Sequence, residues 1–310
     1  MLEKTFLNKL KEKYSYDEKT IKALSLIIPS MINYYGEDYR NIILSAIFNC
    51  EIVPCNSHQT ISKVLNERKL TKLVGTSSVS DIDIKRAEST YIPNIEIVYN
   101  EELNSYEITK IDRVITTSHT FNYDSLKGIE ILTHALCHLV KSYDNEFTIN
   151  ENVLTIRSGL SYEKRKIVYD NGNITLDLIE DYGKSLEEGF TLLDTEKIVS
   201  NVYHNEYKCY DYETVYTIAM ILKDKYKFKS NINSHELQGD IDTFKKEYDK
   251  DAFDKLNTEC DKCLIMENDM LMAYTRDDKN RIAERINKKI NEQIYEYLIT
   301  LYQGKHSVRN

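Results

Sequence analysis

The chain contains no tryptophan, only 3 prolines and only 9 glycines among its 310 residues. With so few helix breakers, the sequence predicts long helices and short connections rather than extended irregular loops. It has no long run of Lys or Arg, and its formal net charge is -9, which argues against a nucleic-acid partner. The first 30 residues carry charges throughout and lack the apolar stretch and small-residue cleavage site of a secretory signal. No apolar run approaches the roughly 18 residues needed to cross a bilayer. The expectation is therefore a cytoplasmic chain with no membrane partner, whose 6 cysteines are free thiols rather than a disulfide framework. Glycine-rich phosphate loops, nucleophile elbows and kinase signatures are also missing.

What remains is ordinary globular composition, 41% hydrophobic and 29% charged, in a chain long enough to build its core without disulfides. Residues 1–72 read as helical, with Leu7, Leu10, Ile21, Leu24 and Ile27 at helical spacing. Segments 94–100 and 106–117 are rich in Ile, Val, Thr and Tyr and read as strands. A helix capped by Asp124 or Ser125 follows, then a hairpin over 153–179 that turns at Asp170-Asn171-Gly172-Asn173. Further helices are expected from Ser185 to about Tyr203, over 211–227, and from about 240 to the end. The fold class is α+β and predominantly helical, with a small sheet packed on the helix that follows the strands. The expected division is a helical region 1–72, a core 73–225 and a helical region 226–310.

Chemistry concentrates in Ile131-Leu132-Thr133-His134-Ala135-Leu136-Cys137-His138. Two histidines at i and i+4 of a helix share one face and can meet one metal ion. In a chain with 7 histidines such a pair arises often by chance, so it carries little weight alone. Its surroundings add weight: the helix is otherwise apolar, and Leu136 and Leu139 sit where they would anchor it in a core. A later helix opens with Leu186-Glu187-Glu188-Gly189.

In these residues the sequence resembles the gluzincins, the zinc metallopeptidases that include thermolysin and the zinc aminopeptidases. The resemblance implies a zincin-like sheet on the HxxxH helix and a Zn2+ held by His134, His138 and Glu188. Gly189 matches the small residue of the family's Asn-Glu-Gly segment, and Glu187 stands in place of the Asn. Two other readings of these carboxylates stay open. Ser185-x-x-Glu188 also fits a helix capping box, and Glu187 is an alternative ligand. The family's supporting carboxylate would fall at Leu192, so Asp194 or Glu130 would have to substitute. For a donor to the developing oxyanion, the stretch Tyr203, His204, Tyr207, Tyr210 and Tyr212 is suitable, with Tyr210 and Tyr212 preferred.

The family's catalytic glutamate follows the first histidine, and here that position is Ala135. A methyl group can neither accept nor donate a proton. The implied function is a zinc-dependent metallopeptidase acting on a protein or peptide, present as a form inactivated by Glu→Ala at 135. The alternative is a zinc-binding pseudoenzyme or protein-binding module without catalysis. Cys260-x-x-Cys263 and Cys50-x4-Cys55-x2-His58 lack the further ligands of a structural zinc site and read as unrelated thiols.

Overall fold

The structure, a computed structural model, describes residues 2–55, 61, 63–64, 89–170, 173–208, 213–222, 236–246, 250–273 and 275–300. The architecture is mixed α and β. Two compact units interleave along the chain, one built from 1–156, 163–180 and 194–208, the other from 157–162, 181–193 and 209–310.

The first unit opens with helices α1 (Leu2–Tyr14), α2 (Glu18–Tyr35) and α3 (Arg40–Phe48). Among the described residues of 1–72 the helical reading needs one correction, because Cys50–Pro54 forms strand β1; residues 56–60, 62 and 65–72 lie outside the described residues. Its parallel partner β3 (Ser105–Thr117) lies some sixty residues on, with Ile52 opposite Ile115. A five-residue strand that depends on so distant a neighbour leaves little local signal. Strand β2 (Ser89–Asn100) is antiparallel to β3, and the sheet order is β1-β3-β2. Both expected strands are present and longer than their apolar runs suggested.

Helix α4 (Leu126–Ser142) carries the histidine pair. Ser125 is its cap, accepting the Gly128 N–H at 2.9 Å, whereas Asp124 pairs with Lys22. Ile129, Leu132, Leu136, Cys137, Leu139 and Val140 are all buried. From Gly128 to Ser142 the positions left half-open are Ile131, His134 and His138. Their spacing of three and four puts them on one stripe, so both histidines occupy the accessible side of an otherwise buried helix. Strand β2 lies beside α4.

A second sheet has the order β4-β5-β6-β7, from Phe147–Asn150, Val153–Ser158, Ser161–Asp170 and Asn173–Tyr182. The expected hairpin strands are here. The four-residue β4, antiparallel to β5, escapes a sequence reading because it is too short to show a period. The turn residues Asn171 and Gly172 lie outside the described residues. Ile95, Leu154 and Ile167 form a buried cluster with Ile97, Phe147 and Ile156 against it.

Helix α5 (Lys184–Tyr203) runs through both segments 181–193 and 194–208. In its second half Asp194 is fully buried and pairs with Lys141 of α4 at 2.8 Å, neither side chain being exposed to solvent. The Tyr34 and Tyr35 hydroxyls of α2 donate to the same carboxylate at 2.6 and 3.1 Å. Ser30 of α2 adds a bond to the Ile198 carbonyl at 2.8 Å. Three helices are thus tied at one buried charge pair. Past α4, buried Glu146 accepts from Arg113 of β3 at 2.8 Å and from the Tyr91 hydroxyl of β2.

In the second unit, the first half of α5 packs with α6 (Glu213–Met220), α8 (Lys250–Met272) and α9 (Arg276–Lys289); a short α7 (Ile241–Lys246) precedes α8. Phe190, Val215, Ala219, Phe253, Leu256 and Cys260 are among its buried core residues. Helix α9 continues through a π-turn at Ile290–Ile294, as the expected amphipathic pattern from Asn280 required. Of the helix expected over 211–227, residues 211–212 and 223–227 lie outside the described residues. Among the described residues no helix is long and apolar enough to cross a membrane.

Two outcomes follow. Replacing Asp194 by Leu strands a buried ammonium and should lower the unfolding free energy by about 3–5 kcal/mol in urea denaturation, while adding Lys141→Met should restore much of it. Burial, partly offset by Arg113 and Tyr91, pushes the Glu146 carboxyl from 4.5 up to about 6. Because the folded value lies above the unfolded one, the stability gained from proton uptake is complete below the lower value and lost as pH rises through the upper one. The stability of the protein relative to its Glu146→Gln variant should therefore fall between these two values, as read from denaturation midpoints across that window.

Candidate metal centre

His134 and His138 turn their Nε2 atoms towards each other, 3.1 Å apart, with the rings edge to face at 78°. Two nitrogens each about 2.0–2.1 Å from one tetrahedral ion would lie about 3.3–3.4 Å apart, so the pair is already close to ligand spacing. Glu188, on the second turn of α5, brings a carboxylate oxygen, and one ligand atom from each of the three residues lies within 4.8 Å of the others. All three side chains are half-buried. Among the described residues this is the one group of three or more His, Cys, Asp or Glu side chains that converges so. Two imidazoles and one carboxylate suit a borderline-soft divalent ion with a position left for water.

The neighbouring carboxylate has a different task. Glu187 is buried, accepts the Leu160 N–H at 2.8 Å and bonds the Thr191 hydroxyl at 3.2 Å. It holds the β5–β6 turn, where Gly159 has φ +55 and any Cβ would fall 2.2 Å from a Glu187 oxygen. With its oxygens engaged in this way, Glu187 is corrected from alternative ligand to turn anchor. The capping-box reading of Ser185 is corrected too. The helix begins at Lys184, Glu187 N bonds to the Gly183 carbonyl, and the Ser185 hydroxyl donates to Asp261 of α8. Asp261 also accepts the Ser185 N–H at 3.3 Å, so the first turn is capped from another helix. Gly189 is small for a packing reason, since a Cβ there would meet the Val215 carbonyl oxygen at 2.4 Å and the Ala219 Cβ at 2.9 Å.

Behind the histidines, His134 Nδ1 faces the Thr195 hydroxyl at 3.5 Å. Leu192, at the family's carboxylate position, is a buried apolar residue. Asp194 is committed to Lys141 and the two tyrosines, and Glu130 to Lys127 and the Tyr207 hydroxyl. Sequence reasoning missed Thr195, although its place seven residues after Glu188, on the same helical face, was available as a signal. It also missed Lys141, because a lysine in an amphipathic helix ordinarily reads as solvated.

Ala135 is 4% exposed, beside His134 on α4. Of the oxyanion-donor stretch, Tyr203 is exposed and His204 ends α5 at φ 54. Tyr207 is bound to Glu130, while Tyr210 and Tyr212 lie outside the described residues. Burial pushes the Cys137 thiol up to about 12, with Asp194 raising it further and Lys141 opposing. Cys260 and Cys263 are buried in the core around α8, the first held well above its usual range and the second at about 11, chiefly by burial. Such thiols are poor ligands and nucleophiles. Cys50 and Cys55 are also free and buried, and His58 lies outside the described residues.

Comparison of the chain with protein-family models, with curated proteins and with solved structures finds no match. Glu188→Gln should sharply weaken zinc binding in calorimetric titration and leave the fold nearly unchanged. Glu187→Gln should do the reverse, losing about 1–3 kcal/mol of stability from a buried charge-assisted bond and keeping its metal affinity.

Proposed function

We propose that this chain is the framework of a gluzincin-type zinc metallopeptidase in which Ala135 has removed the proton-transfer group. The observation that supports the reading most is the convergence of His134 Nε2, His138 Nε2 and the Glu188 carboxylate from two helices. The HxxxH spacing, the downstream Glu-Gly and strand β2 beside the motif helix agree with it. In the finer fold reading, the sheet β1-β3-β2 is the zincin-like sheet. Its β2 edge has no strand partner among the described residues. An extended protein or peptide substrate would add to such an edge through backbone hydrogen bonds.

The residues divide the work as follows. His134 and His138 present neutral imidazole nitrogens and Glu188 a negative charge. A bound Zn2+ would supply a water of lowered pKa and polarisation of the scissile carbonyl. A carboxylate at the position after the first histidine would take up a proton and return it to the leaving amine. Ala135 can do neither, so the chain should hold metal and substrate without turning over. The same ligand set without a restorable activity would describe a zinc-binding pseudoenzyme.

Glutamate and alanine are both good helix formers, so Ala135→Glu requires no change of backbone. The new carboxylate would leave the helix 60° around from His138 and 100° from His134. General acid–base groups contribute about 10²–10⁴-fold. The Ala135→Glu protein should therefore cleave members of a broad peptide library at a rate at least 100-fold above the parent, roughly the lower limit of that range, and a zinc chelator should abolish the gain. A variant that binds zinc normally and cuts nothing across the library would favour the pseudoenzyme.

A further inference from the structure

We propose that Thr195 is the positioning residue of this metal site, its buried hydroxyl accepting the Nδ1 proton of His134 and so holding Nε2 towards the ion. The inference rests on the metal reading above and adds a residue that the metallopeptidase resemblance does not supply, since the position of the expected carboxylate is Leu192.

For His134 to offer the Nε2 lone pair, its single ring proton must sit on Nδ1 and needs an acceptor. The Thr195 oxygen lies 3.5 Å from that nitrogen, at the outer limit of a hydrogen bond. Thr195 is 0% exposed, so no bulk water competes for the bond. The branched Cβ of threonine confines χ1 in a helix to essentially two rotamers, which limits where the acceptor can sit. Its neighbour Asp194 is locked to Lys141, which prevents α5 from rotating the hydroxyl away. Glu188 and Thr195 stand seven residues apart on one face of α5. One helix therefore delivers both a ligand and the group that aims another ligand. The neighbouring hydroxyl on that face, Thr191, is bonded to Glu187.

The test uses the full chain with Zn2+ and with Co2+ as a spectroscopic probe. Thr195→Val keeps the shape and removes the acceptor; Thr195→Ser keeps the acceptor. Val should weaken zinc binding about 10–100-fold and shift the visible absorption bands of the cobalt form, with Ser staying within about 3-fold of the parent. Unchanged affinity and spectrum in the Val variant would overturn the proposal, as would equal losses in Val and Ser. Long-range proton–nitrogen correlation spectra of the unsubstituted zinc-bound protein give an independent answer if the Val variant fails to fold. They should show the His134 proton on Nδ1, and a proton on Nε2 would overturn the assignment. If the unsubstituted chain takes up neither ion, the metal reading itself fails and this inference falls with it.

Discussion

A lysine and an aspartate with no exposure to solvent hold the candidate site in place. Lys141 and Asp194 would each cost several kcal/mol to bury alone, and they are tolerated because they face each other at 2.8 Å and because two tyrosine hydroxyls satisfy the carboxylate. Such a pair adds little net stability over a well-packed apolar substitute. Its effect is on geometry. An apolar contact slides at small cost, whereas a buried ion pair displaced by an ångström loses the hydrogen bonds that offset its desolvation. Helices α2, α4 and α5 are therefore held in one register. Lys141 stands three residues after His138, and Asp194 one residue before Thr195, so the register they set is the one that the histidines require.

The remaining parts of the site depend on that register. The half-open stripe of α4 consists of positions three and four apart, which places His134 and His138 together whatever else the chain does. Where Glu188 lies depends on α5, whose start is fixed by Asp261 reaching the Ser185 N–H and hydroxyl. The close approach of α6 to α5 then demands glycine at 189. The adjacent glutamates, alike in sequence, are separated by a rotation of about 100° around the helix. One points at the imidazoles, and the other is spent on the β5–β6 turn.

What could be read from the sequence was local. The Ser125 cap, the buried faces at Leu136 and Leu139, the two long strands, the three hairpin strands β5, β6 and β7 and the His134, His138, Glu188 set all follow from short-range spacing or from a brief motif. What could not be read depends on partners far along the chain. Strand β1 exists because β3 accepts it in parallel, and the cap of α5 comes from a residue 76 positions later. The buried role of Lys141 cannot be inferred from its type, because lysine is the residue least expected at full burial. Glu188 illustrates the same limit in reverse: Ser-x-x-Glu is a genuine capping signature, and it failed here because the helix already begins at Lys184 and a distant aspartate holds the serine.

The central claim is that these two helices make a metal site from two imidazoles and one carboxylate, with no sulfur. X-ray absorption at the zinc edge on the purified, zinc-loaded chain tests this most directly. The account predicts a first coordination sphere of nitrogen and oxygen at about 2.0–2.2 Å, with the outer-shell scattering of two imidazole rings. A sulfur shell near 2.3 Å would place the metal on the cysteines instead. That result, or a sphere with fewer than two imidazoles, would contradict the account.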